Sequence, residues 1–169
     1  MFVKFSSVEL NRMSWSALSY GYSRGWIDNK DIFNLALERY NPSVSDDITS
    51  SILLTDAHRS DEIESILAEV MVEESNRDLL IREWACLFLS NLWDSRADTR
   101  DPFTIIDEIY AELDYPEFMA HLVTYMPSVD GWRSEDHTRE ENTVHLYDEW
   151  RAFIGKCERS PNESQSINY

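Results

Sequence analysis

The sequence predicts an all-α protein, a compact single domain of about seven or eight helices with little or no strand. Apolar residues recur at helical spacing through most of the chain. The four Gly and five Pro stand between these periodic segments. Apart from residues 2–5, no stretch alternates apolar and polar residues over five or more positions. The helical domain is expected over residues 1–157, and the polar segment 158–169 is expected to be a disordered tail.

The first helices are bounded by capping and breaking residues. One is predicted over residues 11–23, ending near Gly25. Asp28 is placed to cap a helix over residues 29–39, because its carboxylate can accept from the first free backbone N–H groups. A shorter helix is predicted over residues 46–54.

Two further helices are predicted in the middle of the chain. Asp61 and Glu64 have the spacing of a capping box at the start of one. The next, over residues 76–93, is apolar on most of its sides and is expected to be the central buried helix. It carries Arg82 and Glu83 and is too short to span a membrane.

The C-terminal part contains three helix starts. Asp101-Pro102 begins one helix, with Pro at the first helical position. The chain is expected to restart as a helix over residues 114–125. Thr138 and Glu141 form a capping box for the last long helix, whose apolar stripe runs to Cys157.

The two cysteines indicate a reducing compartment. Cys86 lies inside an apolar run and is interpreted as a core residue, and Cys157 lies near the tail. Two thiols with this spacing form neither a disulfide framework nor a metal motif, so two reduced thiols are expected. The N-terminus lacks the features of a secretory signal, and no apolar run is long enough for a membrane span. We therefore expect a cytoplasmic protein.

The net charge of −17 is concentrated after residue 40. Residues 1–40 carry +1, whereas residues 41–120 carry −14. An acidic surface disfavours nucleic acid, which is bound by replacing counterions with Lys and Arg, and it disfavours anionic membranes. It favours a basic protein partner.

Two groups of acidic residues are candidates for contact with such a partner. Like charges on one helix face repel each other, so their accumulation favours a use over a merely solvated face. The first group lies on one stripe of a helix: Glu62, Glu69 and Glu73. The second consists of Asp107, Glu108, Glu112, Asp114 and Glu117, with Tyr115 and Trp132 as aromatic anchors.

Motifs for catalysis are scarce. The chain has no Gly-rich phosphate loop and no nucleophile elbow. Two pairs four residues apart, Glu117 with His121 and Glu141 with His145, place a carboxylate and an imidazole on one helix face and could serve a metal ion. The Glu-x-x-His spacing of carboxylate metal bundles is absent. We predict no cofactor, no bound metal and no enzymatic activity, with a small metal-dependent enzyme as an alternative.

Two segments resemble an uncharacterised bacterial family of small helical proteins. They are EIYAELDYPEFMAHLVTYMPSVDGW (residues 108–132) and WSALSYGYSRGWIDNKDIFNLALERY (residues 15–40), and the resemblance extends to about residue 155. Members of this group are similar to immunity proteins encoded beside bacterial toxins, including those of contact-dependent growth inhibition systems. The family offers no catalytic motif to carry over.

The resemblance implies an immunity protein. Such a protein binds the cationic toxin domain of its own system, often a nuclease, and blocks its active site or substrate groove. We expect a 1:1 complex in which carboxylates take the place of substrate phosphates. An acidic DNA mimic that blocks a DNA-binding protein is a further alternative, since it has the same acidic surface.

Overall fold

The computed structural model describes residues 5–44, 46–55, 58–70, 77–127 and 131–159. Within these ranges the chain is helical and contains no strand, which confirms the all-α class. Of the alternating residues 2–5, which could form a short strand, all but residue 5 lie outside the described residues. Of the predicted tail over residues 158–169, residues 158 and 159 are the last residues of the final helix, and the rest lies outside the described residues.

The described part of the chain contains eight α-helices and two short 3₁₀ helices. The α-helices are α1 Ser7–Leu10, α2 Trp15–Ser23, α3 Asn29–Arg39, α4 Asp47–Leu53, α5 Ser60–Val70, α6 Arg77–Asp94, α7 Pro102–Glu112 and α8 Arg139–Arg159. The 3₁₀ helices are Glu117–Leu122 and Ser134–Asp136. The chain divides into two compact units, Met1–Leu80 and Ile81–Tyr169, and the division falls inside α6.

In the N-terminal unit, α3 packs against α1 and α4, and α5 packs against α2 and α4. The start of α3 is as predicted. Asp28 Oδ1 accepts from the backbone N–H groups of Lys30 and Asp31 at 2.8 and 3.0 Å. Asp31 in turn accepts from the backbone N–H of Asp28, which completes a capping box. This places the apolar face of α3 in the core, where its buried residues are Ile32, Leu35 and Ala36.

Two predicted helix starts in this unit are wrong. The helix expected over residues 11–23 begins only at Trp15, because residues 11–14 form the turn between α1 and α2, and Ser14 caps α2 by accepting from the backbone N–H of Ala17. Helix α5 begins at Ser60, so Asp61 lies inside its first turn and is not its cap. Ser and Asp both satisfy free N–H groups, and tertiary contacts decide which of the available polar residues does so.

Arg39 stabilises the turn between α1 and α2. Its guanidinium donates to three backbone carbonyls of that turn and lies over the ring of Trp15, 4.6 Å from the centroid. The carbonyls belong to Leu10, Asn11 and Met13. Arg39 is more than 25 residues from these groups in sequence, at separations of 26 to 29, so no local pattern indicates the contact.

In the C-terminal unit, α8 packs on α6 and on the 3₁₀ helix Glu117–Leu122. Trp150 is fully buried, and its indole N–H donates to the carbonyl of Leu89 at 3.2 Å. The start of α8 is as predicted, because Thr138 and Glu141 cap each other reciprocally. The core face of α6 in this unit consists of Ile81, Trp84, Ala85, Phe88, Leu89 and Leu92.

A disulfide joins Cys86 of α6 to Cys157 of α8, which contradicts the expectation of two reduced thiols. The two cysteines are 71 residues apart in sequence and their Cα atoms are 5.8 Å apart. Spacing alone did not indicate this pair, because the packing of α8 on α6 brings the sulfur atoms together. Both residues are half-buried, so Cys86 is not the core thiol that its apolar neighbours suggested.

No helix in the ranges described above is long and apolar enough to cross a membrane.

Candidate partner-binding surface

Helix α7 is the base of the candidate surface. Asp101 caps it by accepting from the backbone N–H and the hydroxyl of Thr104, and these two bonds lower the pKa of Asp101. Pro102 occupies the first turn as predicted. The buried side of the helix, with Ile106, Ile109 and Tyr110, fixes its rotation. Asp107 therefore lies at the edge of the buried side, where it is half-buried.

The turn after α7 has an uncommon backbone conformation. Asp114 and Tyr115 have φ angles of 64° and 59°, in the left-handed region that favours glycine. The N–H of Tyr115 donates to the carbonyl of Tyr110 at 2.9 Å, and the N–H of Asp114 donates to that of Ala111 at 3.1 Å. These bonds satisfy the last carbonyls of the helix, as left-handed helix ends usually do.

This turn presents Tyr115 to solvent. The side chain of Tyr115 is 61% exposed, and its ring meets the buried Tyr110 edge-on, with centroids 5.4 Å apart. A tyrosine in the left-handed region is disfavoured relative to glycine by about 1–2 kcal/mol, because its Cβ approaches the next carbonyl oxygen. Residues held in such conformations concentrate at binding and catalytic sites.

Asp107 holds the segment that follows the 3₁₀ helix. Its two carboxylate oxygens accept from the backbone N–H of Thr124 at 3.1 Å and from its hydroxyl at 2.7 Å. The next two residues, Tyr125 and Met126, are 60% and 39% exposed. Asp107, which was predicted to contact a partner, therefore also positions the exposed Tyr125 and Met126.

Tyr125 lies in the same cluster as Tyr115. The pKa of its hydroxyl is raised, first by desolvation and then by the nearby Asp107, Tyr115 and Tyr110. The hydroxyl therefore stays protonated and can donate a hydrogen bond over a wider pH range. We call the group formed by Asp107, Tyr110, Tyr115, Tyr125 and Met126 the tyrosine surface.

The other acidic candidates of α7 point elsewhere. At about 100° per residue, Glu108 and Glu112 lie roughly 100° and 140° around the helix from Asp107. Both are exposed, as are Asp114 and Glu117. The acidic residues of the second group on α7 are therefore spread around the exposed part of the helix. Asp107 belongs to the tyrosine surface, whereas Glu108 and Glu112 face away from it.

The first acidic group lies on α5 of the N-terminal unit. Glu62 forms an ion pair with Arg59 at 2.7 Å, and Glu69 is exposed. Glu73 lies outside the described residues. The ion pair with Arg59 offsets part of the negative charge predicted for this stripe.

Trp132, predicted as an anchor, has both ring faces covered within the chain. His137 stacks on one face with centroids 3.6 Å apart, and His145 stacks on the other at 4.3 Å. The indole N–H donates to Asn142 Oδ1 at 2.7 Å. His137 lies in a polar stretch of the sequence, yet the stacking leaves it half-buried.

The geometry does not favour the metal-enzyme alternative. Glu117 and His121 lie on a 3₁₀ helix, where three residues make a turn, so the predicted shared face is wrong for this pair. His121 Nε2 instead lies 3.7 Å from Glu149 Oε2. Glu141 caps α8, and His145 stacks on the indole of Trp132. The residues that the structure describes include no group of three or more His, Cys, Asp or Glu side chains able to hold a metal ion.

Sequence reasoning missed Tyr125 and Met126 as site residues. Tyr125 is the last residue of the helix predicted over residues 114–125 and Met126 follows it, and an apolar pair at a helix end is ordinarily buried. The sequence does contain one indication that these two residues are exposed. They stand directly before Pro127, where a helix usually ends, and beyond the last apolar residue that recurs at helical spacing.

Fold and surface define a small acidic helical protein with exposed tyrosines set beside a carboxylate. The chain belongs to a family of uncharacterised proteins conserved in bacteria (DUF2247), whose sequence pattern matches residues 4–158. That match covers the whole tyrosine surface and confirms the predicted likeness to an uncharacterised bacterial family. No curated protein and no solved structure matches the chain.

Proposed function

We propose that this chain is a binding protein, not an enzyme, and that it holds a basic protein partner through the tyrosine surface. The observation that carries the proposal is the joint exposure of Tyr115 and Tyr125 beside Asp107. Tyr and Met are enriched in the cores of protein interfaces, and Tyr is among the residues that contribute most to affinity. A neighbouring carboxylate adds a preference for Arg or Lys on the partner.

The backbone of the turn supports this role for Tyr115. A residue in the left-handed region is retained when the surrounding structure holds it there, and glycine would be the unstrained choice. Two consecutive non-glycine residues, Asp114 and Tyr115, adopt it here. The contact of Tyr115 with Tyr110 limits the freedom of its ring, so less conformational entropy is lost when a partner covers it.

The charge distribution supports a basic partner. Residues 41–120 carry −14, and the exposed Glu108 and Glu112 contribute to this negative field although they face away from the tyrosine surface. Carboxylates outside the contact itself accelerate encounter with a cationic partner more than they strengthen the final complex. The aromatic residues would then contribute most of the affinity. The carboxylates would mainly determine which partners are selected and how fast they associate.

The finer proposal is that the partner is a cationic toxin domain, bound 1:1, and that the chain is its immunity protein. The sequence resemblance and the acidic surface support it. A cytoplasmic location belongs to this proposal. One argument for a cytoplasmic location was the expectation of two reduced thiols. The Cys86–Cys157 disulfide removes that argument, because disulfides persist mainly in oxidising compartments.

The test uses the product of the gene next to this one, and the proposal expects that product to have a basic C-terminal domain. We expect this domain to bind the full chain in isothermal titration calorimetry, and each of Tyr115→Ala and Tyr125→Ala to weaken binding at least tenfold. Tyr40→Ala is the matched control, since Tyr40 is 50% exposed and lies in the other unit. Tight wild-type binding that neither tyrosine variant weakens would show that the tyrosine surface is not the interface.

Co-expression separates binding from immunity. If the neighbouring domain is toxic to a host cell, the wild-type chain should restore growth and the double variant Tyr115→Ala, Tyr125→Ala should not. If the chain binds the domain but does not protect the cell, the chain is a binding protein and the immunity role is refuted.

Charge reversal tests whether the carboxylates steer the partner electrostatically. The double variant Glu108→Lys, Glu112→Lys should associate severalfold more slowly than the wild type at low salt, and the difference should be much smaller at high salt. An unchanged association rate after reversal of Glu62 and Glu69 as well would refute electrostatic steering.

A further inference from the structure

The Cys86–Cys157 disulfide lies one helical turn from contacts that hold the 3₁₀ helix after α7. Arg82 precedes Cys86 by four residues on α6, so the two share a helix face, and Phe153 has the same spacing from Cys157 on α8. The guanidinium of Arg82 lies 4.2 Å from the ring centroid of Phe118, which belongs to the 3₁₀ helix. The ring of Phe153 is nearly parallel to that of Phe118, with centroids 6.2 Å apart. Phe118 therefore contacts both helices that the disulfide joins, and we call this arrangement the Phe118 contact.

A second link between α8 and the same 3₁₀ helix lies two turns before the disulfide. His121 Nε2 is 3.7 Å from Glu149 Oε2, and the ring centroid of His121 is 6.3 Å from that of Phe153. Glu149, Phe153 and Cys157 recur every four residues, so they lie along one face of α8. That face supports the 3₁₀ helix, and the disulfide fixes its C-terminal end to α6.

The 3₁₀ helix connects the two exposed tyrosines of the tyrosine surface. Tyr115 lies two residues before it and Tyr125 lies three residues after it. Asp107 accepts from the backbone N–H of Thr124, which fixes one end of this connection, and the Phe118 contact fixes its middle. A shift of the 3₁₀ helix would therefore change how Tyr115 and Tyr125 are presented together.

The disulfide secures a helix end that would otherwise open easily. Cys157 lies in the last turn of α8, which ends at Arg159. The last carbonyls of a helix have no partner within it, and terminal turns open at a low cost in free energy. Such an opening begins one turn from Phe153. Cys86 and Cys157 are both half-buried, so part of each side chain is accessible to a small thiol.

We propose that this disulfide is a redox switch for the tyrosine surface, a proposal that rests on the function proposed above. With the bond closed, the Phe118 contact holds the 3₁₀ helix and both tyrosines in the arrangement that binds the partner. With the bond open, the last turn of α8 frays and the 3₁₀ helix samples more conformations. Binding then loses affinity, because the segment must be ordered when the partner associates.

The reductant that opens the switch is a dithiol. One of its thiolates attacks a sulfur of the Cys86–Cys157 bond, which breaks that bond and forms a mixed disulfide with the attacked cysteine. The second thiolate of the reductant then displaces this cysteine. The chain gains two electrons and two protons as two thiols, and the reductant loses them and becomes a disulfide. Exchange with a disulfide reagent in the opposite direction closes the switch.

Amide hydrogen exchange, followed by mass spectrometry, tests the structural step without any partner. In the full chain, reduction with dithiothreitol should accelerate exchange over residues 117–126 about fivefold. Leu92→Ala is the control, because Leu92 is a core residue of α6 outside the Phe118 contact, and its truncation destabilises the same unit while the disulfide stays closed. This variant should change exchange over residues 117–126 much less. Equal acceleration in the reduced wild type and in oxidised Leu92→Ala, or none in either, would overturn the proposal.

Calorimetry with the basic domain described above tests the effect on binding. Reduction should raise the Kd of the wild type about tenfold. The double variant Cys86→Ser, Cys157→Ser should bind as weakly as the reduced wild type, with or without dithiothreitol. The same Kd for the oxidised and reduced wild type, or an equal response to dithiothreitol in the double variant, would overturn the switch and leave the proposed function standing. If the oxidised chain does not bind the domain, the proposed function fails, and the exchange measurement still decides whether the disulfide holds the 3₁₀ helix.

Two variants of Phe118 test the route from the disulfide to the tyrosine surface. Phe118→Leu removes the ring that Arg82 and Phe153 contact while the disulfide stays closed. It should bind as weakly as the reduced wild type, and reduction should weaken it little further. Phe118→Tyr keeps the ring and should bind and respond like the wild type. Circular dichroism checks that both variants are folded. Wild-type affinity of Phe118→Leu, with a wild-type response to dithiothreitol, would overturn the proposal.

Discussion

The indole of Trp132 stacks on the imidazole of His137, with ring centroids 3.6 Å apart and planes inclined by 12°. His145, two turns into α8, covers the opposite face at 4.3 Å and 7°. The segment that precedes α8 is therefore fixed to the helix by a three-ring stack. Asn142 reinforces the stack, because it accepts from the indole and donates to the carbonyl of Ser134 at 2.9 Å.

Removal of the indole should destabilise this end of the C-terminal unit. We expect Trp132→Ala to lower the free energy of unfolding by about 2–3 kcal/mol, less than a fully buried Trp because Trp132 is half-buried. Trp132→Phe keeps a stacking ring and removes the bond to Asn142, so it should lose only about 1 kcal/mol. Urea unfolding followed by circular dichroism measures both. Equal losses in the two variants would mean that the hydrogen bond, not the stack, holds the segment.

Helix ends with short-range signals were predictable from the sequence. Asp28 with Asp31, Pro102 after Asp101, and Thr138 with Glu141 all act within three residues of sequence, so the pattern contains the whole interaction. For the same reason the all-α class followed from apolar spacing. These helix starts were predictable because each cap needs only residues that are neighbours in sequence.

The tyrosine surface and the disulfide each depend on contacts that the sequence does not show. In the tyrosine surface, Asp107 and the Thr124 that it binds are 17 residues apart, and the disulfide joins Cys86 and Cys157, which are 71 apart. Such pairs form only after helices pack. The helix predicted over residues 114–125 failed for a local reason as well, since the left-handed turn at Tyr115 interrupts it and leaves only a 3₁₀ helix.

The disulfide should contribute measurably to stability. Cross-linking residues 71 apart restricts the unfolded chain, so Cys86→Ser with Cys157→Ser is expected to lower the free energy of unfolding by about 2–4 kcal/mol. Dithiothreitol should lower the urea midpoint of the wild type toward that of the double variant. The double variant is its own control, because reductant should leave its midpoint unchanged. An equal response in both proteins would mean that no disulfide is present in solution.

Acid should weaken the helix caps of the C-terminal unit. Hydrogen bonds from the backbone and then the side chain of Thr104 lower the pKa of Asp101 below its ordinary 3.8. Those from Thr138 similarly lower the pKa of Glu141 below 4.5. The unfolded state therefore binds more protons, so this stabilisation is complete above the ordinary pKa values and is lost as pH falls through the folded ones. We expect the urea midpoint to fall between about pH 5 and pH 3.

A variant that lacks the titratable carboxyl group of Asp101 isolates the contribution of this cap to the loss of stability in acid. Asn is as good a helix cap as Asp, so Asp101→Asn should be nearly as stable as the wild type at pH 7 and should lose less stability on acidification. Asp98→Asn, an exposed substitution of equal charge in the preceding turn, should keep the wild-type pH dependence. If both variants showed the same dependence as the wild type, the Asp101 cap would not contribute to acid sensitivity.

The left-handed turn after α7 predicts that Gly is more stable than Val at residue 114, whereas Val is more stable than Gly at residue 108 inside the helix. At Asp114, where φ is 64°, Gly should be neutral or stabilising, whereas Val should lower the free energy of unfolding by about 1–2 kcal/mol. At Glu108, in the interior of α7, Gly should be the worse of the two, because it loses about 1 kcal/mol relative to Ala in a helix. Urea unfolding of the four variants checks the order. Since the same turn presents Tyr115, Asp114→Val should also weaken partner binding, while Glu108→Val changes it less. A Gly variant less stable than the Val variant at residue 114 would show that the turn is not left-handed in solution.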